Sequence, residues 1–582
     1  MFWKKNKLSP IPSDGPEPSS ELAPRFLLAW LSMIAVVIFV ISLTGPPNLL
    51  HQNERRVAAY VSDIIHNGNW ICQRDASGDI TSKPPMFAWL SALASLAAGE
   101  INRLTLYFPG ALAAWLTSGA IFLGGKKYFG WRSSFVASLI FLFSASTESQ
   151  FYSNRFDGLF TLPVFLAALA AFNSWNTGRG WLWFWLAAAL ATLTKGPLGV
   201  VLGAMGLAAA FWEGRTHSPA PLCGSHWTGI GLFFLLCGGW FALAWWDQKN
   251  ALVDKMLVKE LFSHAMSEEK AHGRFSGLYL TPLSFIAGFA PWSLVTVFAL
   301  WNVWKNSADS VIERRFERFL FCGILGGIIL FALSPHQRPR LVAPLVPFAA
   351  LLAGREISRW LKSWSPKKFL SAAGIATLVF ISAIAAVHYF VLPHDKGVRN
   401  TRELQKFARS LPKQKNGALP LTHVNEPFVF QLYLKTFRRF VPVAQAAQLL
   451  RGDAAAFIVM ADPNKLLKNW NTNDPPIYEI ARAHIVDEPL VSIVSNRPRF
   501  EETSHHALIT GALQMEMTNA WLVGERGNDF TFFVSGNDAR IKLSNLADHP
   551  QKTGIHYSEA GAARFFARTL EAGEAWEVLI NK

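Results

Sequence analysis

The chain has 582 residues, 51% of them hydrophobic and 13% aromatic, with 23 Trp and 45 Phe. That is too apolar for one soluble chain and long enough for several domains. The formal charge of +15 does not signal nucleic acid as a partner. Much of the Lys and Arg sits in short loops between apolar runs, as in the cytoplasmic loops of membrane proteins, and the polar last third has no basic stripe interleaved with stacking aromatics. The cysteines, Cys72, Cys223, Cys237 and Cys322, are too scattered for a disulfide framework or a zinc knuckle.

In chain order, residues 1–25 read as a cytoplasmic N-terminus. The apolar run at 26–45 reads as a retained helix, because it is long for a signal peptide and no small-residue cleavage site follows it. A spanning helix needs about 20 apolar residues. Further candidates lie near 104–124, 133–150, 157–175, 181–195, 196–212, 228–246, 280–303, 319–334, 341–354 and 369–392, about eleven in all. This predicts an α-helical polytopic membrane domain over 26–392, followed by a soluble, periplasmic α/β domain over 393–582.

The stretch "PPMFAWLSALASLAAG" (84–99) is short, and its two prolines suit a helix start. If it spanned, the loop "GGKKYFGWR" would fall outside. The positive-inside rule therefore predicts that 84–99 lies in the outer interface. The loops near Lys126, Arg179, Arg215, Arg314 and Lys367 then share the inner face. Residues 46–103 and 247–280, the turns near Arg155, Lys195 and Arg338, and the C-terminal domain share the outer one.

The outer face gathers Asn53, Glu54, Arg55, Lys83, Arg155, Asp157, Lys195, Glu260, His264, His272, Arg274, His336, Arg338 and Arg340. Each alone has a plain explanation. Lys83 can snorkel, Asp157 can sit on a helix dipole, Glu54 and Arg55 can be a surface pair, and Arg338 and Arg340 a solvated turn. His264 and His272 are too far apart for one-face helical metal ligands. Together, Glu54, Asp157 and several cations on one face suit a catalyst acting on an anionic lipid: cations to hold a phosphate and a carboxylate as general base. A transporter more often carries ionisable groups at mid-membrane depth.

Glu54-Arg55, "GNW" (68–70), "KPPMFAW" (83–89), "NRFD" (154–157), "TKGP" (194–197), "APWS" (290–293) and "ALSPHQRPRLVAPLVP" (332–347) follow one another in an order that resembles the GT-C type membrane glycosyltransferases. The closest resemblance is to the lipid A aminoarabinose transferase and protein O-mannosyltransferase branch, over roughly residues 26–400. It implies about 11–13 transmembrane helices, a polyprenyl-phosphate sugar donor, a glycolipid or protein acceptor, and inversion at the anomeric carbon on the outer face of the bacterial inner membrane. Carried over by position, it implies Glu54 and Asp157 as catalytic acids, Lys83 on the donor phosphate, and Arg55, Lys195 and Arg338 as further anion contacts. Asn53 and Ser82 stand where the family often has an acid. That leaves the base open between Glu54 and Asp157. It also weakens the case for a metal, so no metal ligand is assigned, although a divalent cation remains an option.

In the last third, "TRELQKFARSL" and "QAAQLLRG" read as helices, "GALPLTHV" and "AAFIVMA" as strands. Residues after about 500 look more β-like, with a helix expected near 558–572. "SGND" (535–538) and "GIHYSEAGA" (554–562) are similar to blocks of the SGNH esterases, but no serine block accompanies them and Thr553 stands where that family has Asp. The competing readings are a polysaccharide ligase and a lipid-linked sugar flippase or exporter. Inverted repeats would favour the flippase, and none is evident.

Overall fold

A computed structural model describes residues 24–46, 52–214, 220–256, 276–306, 308–334, 339–412, 419–468, 470–471, 473–483, 491–500, 503–535, 538–559 and 562–580. Helices occupy every apolar stretch expected to span. They are α1 (Pro24–Thr44), α4 (Arg103–Leu142), α6 (Phe156–Thr177), α7 (Trp181–Lys195), α8 (Leu198–Glu213) and α9 (Trp227–Gln248). After these come α10 (Ser276–Gly288), α11 (Trp292–Lys305), α12 (Val311–Ala332), α13 (Arg340–Trp360) and α14 (Pro366–His394). Shorter helices lie between them: α2 (Gln52–Asn67), α3 (Met86–Ala98) and α5 (Ala145–Phe151).

Among the described residues six of these helices are long and apolar enough to cross a membrane, or seven if α10 and α11, bent by 116°, form one span. The sequence suggested more in part because α4 is two spans in one element, and in part because α7, with 15 residues, and α8 are apolar but shorter. Gly130 has φ 79° and ψ 169°, a conformation open to glycine, and it turns the chain back on itself. The Ser138 hydroxyl then donates to the Ser118 carbonyl at 3.0 Å across the hairpin. This is a multi-pass membrane protein.

α6 sets the long axis. At its C-terminal end Asn173 accepts from Lys127 at 3.1 Å and Asn176 from Arg315 at 3.2 Å. Glu213, buried there, meets Arg318 at 2.6 Å and Arg314 at 3.4 Å. The loops expected to share the inner face thus meet at one end. Asp157 stands at the other, about 33 Å away along 22 residues. At that far end Arg103 donates to the Leu43 carbonyl at 3.0 Å, supplying partners for the orphan acceptors at the C-terminus of α1.

α3 is too short to span, with 13 residues. Phe87, Ala88, Ser91, Ala92 and Ser95 are buried, while Leu93 and Leu96 face outward.

The last third begins with α15 (Lys396–Ser410). A four-stranded mixed sheet follows, ordered β1 (Leu421–His423), β2 (Phe457–Met460), β4 (Val491–Ser495), β3 (Tyr478–Ala483). Two further four-stranded sheets then pack face to face. One is β12 (Ala575–Ile580), β9 (Ala539–Asn545), β6 (Leu513–Thr518), β5 (His505–Thr510); the other is β11 (Ala562–Leu570), β10 (Gln551–Glu559), β8 (Asp529–Val534), β7 (Ala520–Arg526). Met515, Met517, Ile541 and Leu543 of one sheet share a core with Phe530, Phe532, Ile555 and Tyr557 of the other, and the period-2 burial of β6 and β9 follows from it. The helix expected near 558–572 is instead the hairpin of β10 and β11. Ala and Arg give that stretch helix propensity, but pairing from Gln551↔Leu570 onward overrides it. The described residues of "GIHYSEAGA", 554–559 and 562, accordingly fall on strands, not in an esterase block.

Candidate active site

Asp157 opens α6 and Lys195 closes α7, the next helix, which runs back antiparallel to it. The two "NRFD" and "TKGP" stretches therefore meet, and the Lys195 ammonium donates to Asp157 Oδ1. Arg340 Nε lies 3.9 Å from Oδ2 of the same carboxylate. Asp157 is 5% exposed. Lys195 also sits 5.3 Å from the centre of the Phe160 ring, which adds a cation–π attraction.

The start of α6 is held rigidly. α5 wedges between α4 and α6, capped by the Ser144 hydroxyl, which accepts the Thr147 N–H at 3.2 Å. A Cβ on Gly158 would lie 2.5 Å from the Gln150 carbonyl oxygen, and one on Gly110 would lie 2.1 Å from that of Phe151. Only glycine allows both approaches, so the carboxylate next to Gly158 has a fixed place.

Lys83 precedes α3 by one turn. The Thr81 hydroxyl donates to the Lys83 carbonyl at 2.8 Å and accepts its N–H at 3.3 Å, so the backbone is locked before Pro84 and Pro85 start the helix. One turn on, Phe87 packs against Phe156 with ring centroids 5.4 Å apart, which docks this segment beside Asp157. Trp89 donates its indole N–H to the Trp70 carbonyl at 2.6 Å, so "KPPMFAW" and "GNW" brace each other.

Arg55 is half-buried on α2. The side chains of Asn53 and Glu54, and all of Glu260, His264, His272, Arg274, His336 and Arg338, lie outside the described residues. From "SPHQRPR" it is Arg340, not a residue singled out for a role by the resemblance, that reaches Asp157.

Two polar residues that sequence reasoning passed over also belong to this end. Asp63 on α2 is fully buried and collects Asn67 at 2.7 Å, Asn69 at 3.0 Å and the Arg74 N–H at 2.7 Å. Its one visible signal is a carboxylate on the apolar face of "NERRVAAYVSDII". Glu148 on α5 meets His388 of α14 at 2.8 Å; nothing local marks a pair so distant in sequence.

Among the described residues no three His, Cys, Asp or Glu side chains are grouped as for a metal ion, and the Asp157 carboxylate is already taken by two cations.

The last third covers this same end. Asn67 Oδ1 accepts the Gly527 N–H at 2.9 Å, the Ala76 carbonyl accepts the Phe440 N–H at 2.8 Å, and His66 stacks on Phe437. Apolar residues of α2, α3 and the start of α4 share one core with β1 and β2.

The sequence profile described as dolichyl-phosphate-mannose-protein mannosyltransferase matches residues 82–240. Its match starts at the Lys83 turn and takes in Asp157 and Lys195. The structure superposes on that of ArnT from Cupriavidus metallidurans bound to undecaprenyl phosphate, with TM-score 0.61, 17% identity, and 82% of this chain and 98% of that one covered. The chain has the fold of the GT-C type membrane glycosyltransferases. Relatives of the chain include the undecaprenyl phosphate-alpha-4-amino-4-deoxy-L-arabinose arabinosyl transferase 1 of Pseudomonas fluorescens, 22% identical over 66% of this chain and 67% of that one. An uncharacterised Aquifex aeolicus protein is 24% identical over 63% of this chain and 70% of its own length.

Proposed function

We propose that this glycosyltransferase moves a sugar from a polyprenyl-phosphate donor to an envelope acceptor, a lipid A-like glycolipid or a protein, at the periplasmic face of the bacterial inner membrane. The observation that carries the reading is the gathering of Asp157, Lys195, Arg340 and the Lys83 turn at one end of the helical bundle, roofed by the last third. The names of the relatives point to the same donor class.

In this reading the acceptor oxygen attacks the anomeric carbon, the bond from that carbon to the phosphate oxygen breaks, and the configuration inverts. The bonding pair leaves with the phosphate. Lys83 neutralises the charge that develops there; in a site shielded from water such a cation is worth far more than in bulk. Lys195 and Arg340 are presented by Asp157, which holds both in fixed geometry. Arg55 and Arg338 add further positive charge. Glu54 takes the proton from the acceptor. Asp157 then acts through the cations that it places, and the base is the carboxylate of the first loop.

The test is mass spectrometry of envelope glycolipids and glycoproteins with and without the gene. A glycan mass present only with the gene, and lost again with Lys83→Ala, supports the reading. Identical glycan profiles in both strains contradict it.

A further inference from the structure

Away from the Asp157 end, the last third holds a cavity of about 570 Å³. It opens where β1 and β2, paired in parallel, release their chains. Crevices beyond the carboxyl ends of parallel strands are where α/β sheets bind ligands. Asn425 Oδ1 accepts the Ala461 N–H at 3.0 Å, which ties the two exit loops together, and within the second loop Asp462 Oδ1 accepts the Asn464 N–H at 3.1 Å. The opposite wall is β3. Met460 and Arg482 both stand across from Ser492 of β4, so Arg482 is level with the end of β2. Glu479 of β3 is paired with Arg482 and accepts from the Ser492 hydroxyl at 2.6 Å.

The lining chemistry selects a ligand class. Asp462 and Glu479 balance Lys465 and Arg482, while Asn425 and Asn464 add neutral amides. Donors and acceptors alternate without net charge, which suits vicinal hydroxyls. A phosphate would have to approach two carboxylates, one of which already occupies the guanidinium. Leu467, which is 51% exposed, and Ile477 give an apolar wall for the C–H face of a sugar ring. The volume is within the roughly 300–1,000 Å³ of small-molecule sites.

We propose that this cavity binds a neutral saccharide and that, in the transferase, it holds a glycan portion of the acceptor remote from the reacting hydroxyl. The second half rests on the transfer reaction proposed above; the binding itself does not. Contacts made far from the reacting bond lower the barrier by fixing the acceptor's position.

The test uses the full chain in nanodiscs and saturation-transfer NMR with a panel of neutral methyl glycosides and disaccharides, with inorganic phosphate as competitor. At least one saccharide should bind, phosphate in molar excess should not displace it, and Asn464→Ala and Glu479→Gln should each weaken it by about tenfold at unchanged thermal melting. Asn464 is exposed, so its variant keeps the test open if Glu479→Gln unfolds. Absence of binding across the panel, displacement by phosphate, or unchanged affinity in Asn464→Ala overturns the site. In the transfer assay Asn464→Ala should raise KM for the acceptor about tenfold with kcat retained. Lost saccharide binding with unchanged KM overturns the acceptor assignment. Failure of transfer altogether leaves the NMR result readable and tells against the proposed reaction alone.

Discussion

The Lys195 ammonium is hydrogen-bonded to the Asp157 carboxylate, although the two residues lie 38 positions apart. They end adjacent antiparallel helices, and both are largely withdrawn from solvent, at 16% and 7% side-chain exposure. Removing one member of such a pair leaves a buried charge without compensation and costs about 3–5 kcal/mol, whereas replacing both costs less. Asp157→Asn and Lys195→Met should each lower the melting temperature in detergent, and the double variant should melt above either single one. A double variant whose loss equals the sum of the singles would show that the contact is not coupled.

Lys83→Ala should abolish transfer and weaken binding of the donor lipid. Lys83→Arg should fall between it and the parent, because a guanidinium keeps the charge but changes reach and geometry. Donor binding by a labelled polyprenyl phosphate, at matched protein abundance, is the measurement. Wild-type binding in Lys83→Ala would reduce Lys83 to a side chain that only snorkels at the interface.

The two acids should separate. A general base contributes about 10²–10⁴-fold in rate, so Glu54→Gln should cut kcat in that range and leave donor affinity intact. Asp157→Asn should cut both, since Lys195 and Arg340 lose the anion that places them. More than about half of parental turnover in both variants, against the range expected for a base, would remove this end of the bundle from catalysis and favour a flippase.

The placing of the cationic loops at one end of the bundle predicts its orientation. A reporter fused after Gly130, in the turn of the α4 hairpin, should read cytoplasmic, and one fused after Asn400 should read periplasmic. A periplasmic signal at Gly130 would invert the assignment of the Asp157 end.

The last third should lose stability in acid. His506 is 2% exposed beside Trp521, and burial, partly offset by a hydrogen bond that the imidazole donates to the Thr503 backbone and aided by His505, pushes its imidazole down to about 4. A base whose folded value is depressed contributes its full stability above the unfolded value, near 6.5, and loses it as pH falls toward 4. The difference is about 3 kcal/mol. The melting temperature of the parent should therefore fall more steeply between pH 6.5 and pH 4 than that of His506→Gln. Parallel slopes would contradict a neutral buried His506.

The helices were legible because membrane spans are long apolar runs, and the Asp157 neighbourhood because "NRFD" and "TKGP" sit at helix ends that adjacent antiparallel helices must bring together. The turn at Lys83 was legible from the two prolines that follow it. Arg340 was visible as a cation but not as the partner of Asp157, since nothing local in the sequence sets Arg340 apart from Arg338. Asp63 and the Glu148–His388 pair were hidden, because their partners are loops and helices far along the chain. The β10–β11 hairpin was misread for the same reason: local propensity favoured a helix, and a nine-residue register with a neighbouring strand decided otherwise.

The account stands on one reaction at one end of the bundle. Purified chain in detergent, given a polyprenyl-phosphate sugar carrying label in both lipid and sugar, together with an envelope glycolipid extract, reports it directly. Labelled polyprenyl phosphate should be released as the sugar appears, with inverted anomeric configuration, on the glycolipid or protein acceptor. Intact donor after incubation with active-fold protein and a full acceptor extract, or labelled sugar moved across a sealed bilayer without cleavage from its lipid, would contradict it.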